Sequence, residues 1–259
     1  MNQHLLQTVF EKNNIPAFRY FNQVGSTNDI AIEWVSAGAP EYALVMAEAQ
    51  TSGRGRNGRT WVTTPGASIA LSIILHPSPA EQINLGLFSL AAGLAAARAI
   101  DILCDDVVQV KWPNDVLINR MKTAGVLAET VWEGNQLKGL VLGIGINLLH
   151  ESVPPAAELL FPATCLQEHT SSQPEPLALI DALLASLAGV RAEMLTQHFS
   201  HIYTSWMAYL NEPISLHPAN ASIISGTLQG VDTSGYLVLQ MKNGELQSFP
   251  VGDISLRPL

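Results

Sequence analysis

Apolar and polar positions alternate along this chain in several distinct rhythms, and each rhythm predicts an element. Residues 1–11 read as a short helix, and Ser26 or Thr27 is placed to cap a second helix running through Ile30 and Trp34 to a stop at Gly38. Residues 43–50 and 68–75 are strand-like, the latter with Ile69, Leu71 and Ile73 on one face. Residues 84–100 form an apolar helix, followed by a strand at 107–110 and a short strand after Asn114. Two apolar runs, 123–132 and 136–146, flank Glu133-Gly134-Asn135 and predict a long hairpin. Strands that follow one another with few helices between them favour an α+β domain with a mixed or antiparallel sheet over a doubly wound parallel one.

The second half changes texture. Residues 151–176, rich in Pro, Ser and Glu, read as a surface connector. Leu177, Ile180, Leu184 and Leu187 then recur at helical spacing, and residues 200–210 extend or restart that helix. Beyond Glu212 short strands are predicted at 214–216, 222–226, 236–241 and 246–250, with turn signals at 232–235 and Asn243-Gly244. This predicts a small β-barrel-like module, 211–259, attached to a main domain, 1–210. About fifty residues make a small core, so the module is expected to pack on the main domain.

Composition narrows the function. The 259 residues are 47% apolar and 14% charged, enough for a sizeable core. The apolar run at 92–97 ends at Arg98, well short of the ~20 residues needed to span a bilayer. Without a signal-peptide pattern at the N-terminus, a soluble cytoplasmic protein with no membrane association is expected. Cys104 and Cys165 stand alone, which argues against a disulfide framework and predicts buried thiols. A net charge of −9 disfavours nonspecific nucleic-acid binding. Yet Arg54, Arg56, Arg59, Lys111, Arg120 and Lys122 fall within two short segments, which suggests an anionic small ligand there.

Those segments carry the candidate chemistry. Gly53-Arg54-Gly55-Arg56-Asn57-Gly58-Arg59, followed by Trp61, joins backbone freedom to planar cationic donors suited to carboxylate and phosphate. It is neither a Walker A loop nor a dinucleotide fingerprint. Read alone, it fits a flexible surface loop or an arginine-glycine tract equally well. Lys111-Trp112-Pro113-Asn114-Asp115 follows an apolar strand, where loops present functional groups, although Asn114 and Asp115 are also ordinary turn residues. Lys122, ahead of Ala124 and Gly125, reads alone as a solvated lysine. In Gly143-Ile144-Gly145-Ile146-Asn147 the simpler reading is close packing of backbones in a strand. His198 and His201 share a helix face without a third ligand nearby, so no metal site is expected.

In sequence order, Ser26-Thr27-Asn28, Glu48 and Gln50, GRGRNGRTW at 53–61, KWPND at 111–115, KTAGVLAE at 122–129 and GIGIN at 143–147 together resemble the biotin protein ligase family. The resemblance covers residues 20–150 and extends to the terminal module through its strand pattern and the closing Ile254-Ser255-Leu256-Arg257. It implies an α+β catalytic domain with a mixed sheet, related to class II aminoacyl-tRNA synthetases and lipoate ligases, and an SH3-like C-terminal barrel. It also implies that biotin and ATP, with Mg²⁺ on the triphosphate, give biotinyl-5′-AMP, whose biotinyl group passes to a lysine of a biotin carboxyl carrier protein. Association into a homodimer is allowed. Many relatives carry an N-terminal winged helix that does not fit in the twenty residues ahead of the motifs, so a monofunctional ligase without nucleic-acid binding is expected. Asn57 stands where some relatives have another basic residue. A lipoate or octanoate ligase or transferase is the nearest rival. A non-catalytic biotinyl-adenylate sensor is another, but its cationic residues should be degraded, and Arg56, Lys111, Asp115 and Lys122 are all present.

By the same resemblance, Ser26, Thr27, Asn28, Gln50, the backbone at Arg54, and Gly125 belong with biotin. Arg56 and Lys122 neutralise its carboxylate and the α-phosphate. Arg59, Trp61, Lys111, Asn114, Asn147 and Arg257 belong with the nucleotide. Asp115 is expected to accept or orient the proton of the acceptor amine, with a salt-bridged scaffold as the alternative.

Overall fold

The computed structural model describes residues 1, 3–159, 161–218, 222–250 and 254–258. Its elements are α1 (Gln3–Lys12), β1 (Phe18–Val24), α2 (Thr27–Ser36), β2 (Leu44–Gln50), β3 (Ser68–Leu75), the single turn α3 (Pro79–Gln82), α4 (Leu87–Asp101), β4 (Val108–Lys111), β5 (Asp115–Ile118), β6 (Met121–Glu133) and β7 (Gln136–Asn147). After a connector with isolated 3₁₀ turns come α5 (Pro176–Glu193), α6 (Phe199–Ser205) and five short strands: β8 (Pro213–Pro218), β9 (Ile224–Val231), β10 (Leu237–Gln240), β11 (Leu246–Phe249) and β12 (Ile254–Pro258).

Seven strands make one mixed sheet in the order β1-β2-β3-β7-β6-β5-β4, parallel between β1 and β2 and antiparallel elsewhere. The period of two along its strands gives the sheet two unlike faces. Ile69, Leu71, Ile73 and Leu75 of β3, with Leu140, Leu142, Ile144 and Ile146 of β7, enter the main core. That core is filled by α4, buried along nearly its whole length, with α5 packed behind it. An all-round apolar helix of this kind fits only such a sandwiched place.

The opposite face is covered at one end by α2. There Ala31 and Val35 pack on Val45, Ile74 and Val141 in a second, smaller core. Along the rest of that face the inward positions are small or polar: Ala70 and Ser72 on β3, Gly143 and Gly145 on β7, and Gly125 on β6. The strand β1, absent from the sequence reading, is an edge strand with no fully buried residue, so it lacks the apolar alternation that marks the others.

The terminal strands form a five-stranded antiparallel sheet in the order β11-β10-β9-β8-β12. It packs on the main domain through the β4–β5 loop, the segment ahead of α4, and α6: the Trp112 indole donates to the Gly235 carbonyl at 3.1 Å, Asn84 to the Ser234 carbonyl at 2.7 Å, and Val231 N–H to Thr204 at 3.1 Å. Among the described residues no helix is long and apolar enough to cross a membrane. Cys165 is buried as expected, whereas Cys104 is only partly so.

Candidate active site

A single row of register partners crosses the open face of the sheet: Ala70, Gly145, Gly125, Asp115 and Lys111. Its first three members have almost no side chain, so they make a flat floor. Its last two carry opposite charges. The GRGRNGR segment folds over this floor as a narrow hairpin, closed by Gly55 N–H to the Arg59 carbonyl at 2.7 Å and Trp61 N–H to the Gly53 carbonyl at 2.8 Å. Gly53 is required there, because a Cβ would sit 2.3 Å from the Trp61 carbonyl oxygen. At the tip Asn57 has φ 56° and Gly58 φ 71°. Asparagine tolerates this left-handed backbone better than a basic side chain would, which accounts for the residue at 57.

Glycines 143 and 145 are explained by side chains lying on the strand, which corrects the expectation of backbone packing. A Cβ at Gly145 would fall 2.3 Å from the Trp61 indole, and one at Gly143 would fall 2.1 Å from Asn28 Oδ1. Trp61 lies flat on the floor, with its indole N–H buried and without an acceptor in the protein. Gly145→Ala must therefore lift the indole off the sheet, an overpacking cost of about 1–3 kcal/mol. Calorimetry should show a lowered midpoint and titration a weakened ligand affinity; an unchanged midpoint would mean that the tryptophan moves freely.

At one end of the cavity Ser26, Thr27 and Asn28 are all buried at the start of α2. The Ser26 hydroxyl makes no capping bond. Instead the Gln50 side-chain carbonyl accepts from the Thr27 amide at 2.8 Å and its hydroxyl at 3.1 Å, while Gln50 Nε2 donates to Thr63 Oγ1 at 2.9 Å. The Ser72 hydroxyl lies 2.8 Å from Thr27 Oγ1 and 2.6 Å from Asn28 Oδ1, and Asn28 Nδ2 donates to Glu129 at 2.7 Å. Ser72 and Thr63 lie outside the sequence motifs, and Glu129 closes KTAGVLAE. Glu129 follows Gly125 and Leu127 at period two, and Ser72 interrupts an apolar strand on the face opposite Leu71, so both signals were in the sequence.

The other end is electrostatic. Asp115 Oδ1 is 2.6 Å from Lys122 Nζ and Oδ2 is 3.5 Å from Lys111 Nζ. Burial would raise the Asp115 carboxyl, but the two ammonium groups outweigh it and hold it below the usual carboxylate range. Lys111 is itself buried and lies 4.4 Å over the Phe161 ring. Burial, with Lys122 and Arg59 nearby, pushes its ammonium below the ordinary lysine value against the pull of Asp115. Arg56 Nη1 donates to Asn114 Oδ1 at 3.2 Å, and Asn114 Nδ2 donates to the Val126 carbonyl at 3.0 Å. One carboxylate and four nearby cations, Arg56, Arg59, Lys111 and Lys122, give this end a positive balance suited to an anion.

The structure thus gathers Ser26, Thr27, Asn28, Gln50, Arg54, Arg56, Arg59, Trp61, Lys111, Asn114, Asp115, Lys122 and Gly125 around one cavity. Three residues of the sequence reading lie elsewhere. Asn147 does not line the cavity; its amide donates to the Thr164 carbonyl at 3.0 Å. Arg257 is exposed, and its neighbour Leu256 reaches the cavity instead. Arg120, counted in the cation cluster, turns away to pair with Glu212. The Arg54 guanidinium is held by Asp29 and Glu129, both at 2.7 Å, and Glu48 lies outside the cavity, bonded to Tyr20.

Comparison with known proteins gives the class first. Residues 20–147 match the Biotin/lipoate A/B protein ligase family, and residues 209–257 match the Biotin protein ligase C terminal domain. The chain is 32% identical to the biotin–(acetyl-CoA-carboxylase) ligase of Paracoccus denitrificans, over 88% of this chain and 96% of that one. It is also 32% identical to the bifunctional ligase/repressor BirA of Bacillus spizizenii, over 87% of this chain and 70% of that protein. The solved structure of the Aquifex aeolicus biotin protein ligase in complex with biotin and ATP superposes with a TM-score of 0.81 and 27% identity, over 94% of this chain and all of that one. The chain belongs to the biotin protein ligase family.

Proposed function

We propose that this chain condenses biotin with ATP to biotinyl-5′-AMP and then transfers the biotinyl group to a lysine of a biotin carboxyl carrier protein or domain. The observation that carries this reading is the cavity's polarity. A polar end built on the buried Ser26, Thr27 and Asn28 with Gln50 faces a cationic end built on Arg56, Lys111 and Lys122, across a floor of alanine and glycine on which the Trp61 indole lies. Biotin has the matching form, a polar ureido head and an apolar body ending in a carboxylate.

In the first step a biotin carboxylate oxygen attacks the α-phosphorus, the bond to the β-phosphate oxygen breaks, and pyrophosphate leaves with the electron pair. Two anions must be brought together, and Arg56 and Lys122 lower that repulsion. In the second step a neutral lysine amine attacks the acyl carbon, the bond to the AMP oxygen breaks, and the amine gives up a proton. Asp115 serves chiefly to hold Lys111 and Lys122 in place, since a carboxylate flanked by two ammonium groups has a lowered affinity for a proton. Asn114 positions Arg56. Mg²⁺ arrives with the triphosphate as part of the substrate, because the cavity's carboxylate is already committed to two lysines. Dividing the chain after residue 210 leaves a terminal module, 211–259, that closes one side of the cavity through Leu256.

Exchange of labelled pyrophosphate into ATP tests the first step. Exchange should require biotin and should not be supported by lipoate at equal concentration; exchange driven equally by lipoate would reassign the substrate. Arg56→Gly should release the adenylate faster by about 10–100-fold, through loss of a charged hydrogen bond worth about 1.5–3 kcal/mol. Filter retention of labelled adenylate checks this, and a wild-type release rate would remove Arg56 from the contact.

A further inference from the structure

A second constellation of chemistry-bearing side chains lies outside the cavity, behind the start of β6. His150 Nδ1 is 3.0 Å from Glu168 Oε1 and 3.9 Å from Cys165 Sγ, and the three ligand atoms lie within 4.8 Å of one another. We infer that His150, Cys165 and Glu168 form a binding site for a thiophilic divalent cation of the Zn²⁺ type. Tetrahedral zinc with bonds of about 2.0–2.3 Å to nitrogen, oxygen and sulfur needs ligand atoms about 3.3–3.7 Å apart. Shifts of a few tenths of an ångström bring the two short contacts to that spacing, and the remaining pair, within 4.8 Å, closes by about an ångström as the side chains gather on the ion. The His150 side chain is 60% exposed and takes up most of that movement, since Glu168 is held by Thr164.

The carboxylate is already held in the orientation that coordination requires. Glu168 Oε2 accepts from Thr164 Oγ1 at 2.6 Å, and Thr164 in turn lies 2.8 Å from His169 Nε2, whose Nδ1 is 2.7 Å from Asp106. That chain fixes Oε2 and leaves Oε1 facing His150. Hydrogen-bonded partners behind a ligand commonly orient it in this way. Cys165 is buried and brings the soft donor, while solvent reaches the histidine side and can complete four-coordination with a water. Mixed thiolate, imidazole and carboxylate donors favour zinc or cobalt over magnesium or calcium. On binding, the Cys165 proton leaves to buffer as the sulfur–metal bond forms. The site is tied to the cavity by main chain: Thr164 N–H donates to the Lys122 carbonyl at 2.9 Å, and Lys122 N–H donates to the Pro162 carbonyl at 2.8 Å.

Titration of the full chain with Co²⁺ under a thiol-free reductant, followed by Zn²⁺, tests the site. One equivalent of Co²⁺ should bind with a near-ultraviolet thiolate-to-cobalt absorption and the visible bands of a four-coordinate ion, and Zn²⁺ should displace it. Cys165→Ser should abolish the near-ultraviolet band. The exposed substitutions His150→Ala and Glu168→Gln should each weaken binding at least about tenfold while leaving the thermal midpoint of the metal-free protein unchanged. Absence of cobalt uptake, a thiolate band that survives Cys165→Ser, or unchanged affinity in His150→Ala would each overturn the site. Because His150 is exposed, its variant decides the matter even if Cys165→Ser fails to fold.

Discussion

Lys122→Ala is expected to slow biotinyl-adenylate synthesis by about 10²–10³-fold, the usual consequence of removing one fixed cationic or hydrogen-bonding group that stabilises developing charge. Lys122 Nζ lies 2.6 Å from Asp115 and 5.5 Å from the centre of the Trp61 ring, so it stands at the junction of the charged end and the floor. Its contribution is greatest while pyrophosphate departs, because negative charge on the α-phosphoryl group and the leaving oxygen peaks there. Transfer from preformed adenylate has a smaller anionic burden and should fall much less. Single-turnover measurements with biotin plus ATP, and separately with synthetic biotinyl-adenylate plus carrier protein, resolve the two steps. Equal losses in both, or a defect confined to transfer, would contradict the role.

Asp115→Asn is expected to destabilise the protein by about 3–5 kcal/mol, because it leaves two ammonium groups close together in a buried site without their common counter-ion. Biotin and ATP affinities should fall with the midpoint, as Lys111 and Lys122 lose their placement. The pH dependence separates positioning from proton transfer. If Asp115 were the base for the acceptor amine, raising the pH toward the ordinary lysine value of about 10.4 would rescue transfer; as a positioning group its loss is not rescued. Acid gives a second readout. A carboxyl held below its unfolded value of about 3.9 stabilises the native state above that pH and loses this contribution as pH falls through the folded value. Wild type should therefore lose stability steeply below about pH 4, and Asp115→Asn should show a shallower acid limb. Chemical denaturation at several pH values measures both, and parallel acid limbs would refute the coupling.

Much of this could be read along the chain, because it is set by local periodicity. The alternation in 68–75, the hairpin around Gly134 and the apolar helix ahead of Asp101 all appear in the structure, with ends displaced by a few residues. Fold class followed from their order. What was misread depends on partners distant in sequence. Nothing near Gly145 announces that Trp61 will lie on it, and nothing near Asn147 announces Thr164 as its acceptor. Arg120 looks like its cationic neighbours in sequence, yet it sits with φ 65° in the turn between β5 and β6 and faces outward to Glu212. The His150, Cys165 and Glu168 group was invisible for the same reason: Cys165 and Glu168 lie close in sequence, but His150 joins them only when the connector folds back.

Incubation of the purified chain with MgATP, biotin and a carrier domain, with mass detection of both the small-molecule and protein products, tests the ligase reading most directly. The cavity's chemistry predicts biotinyl-5′-AMP in the absence of the carrier, and in its presence a single biotinyl group on one carrier lysine with AMP released. Lipoate in place of biotin should yield neither product. An acyl-adenylate formed from lipoate but not from biotin, or no adenylate from either, would contradict it.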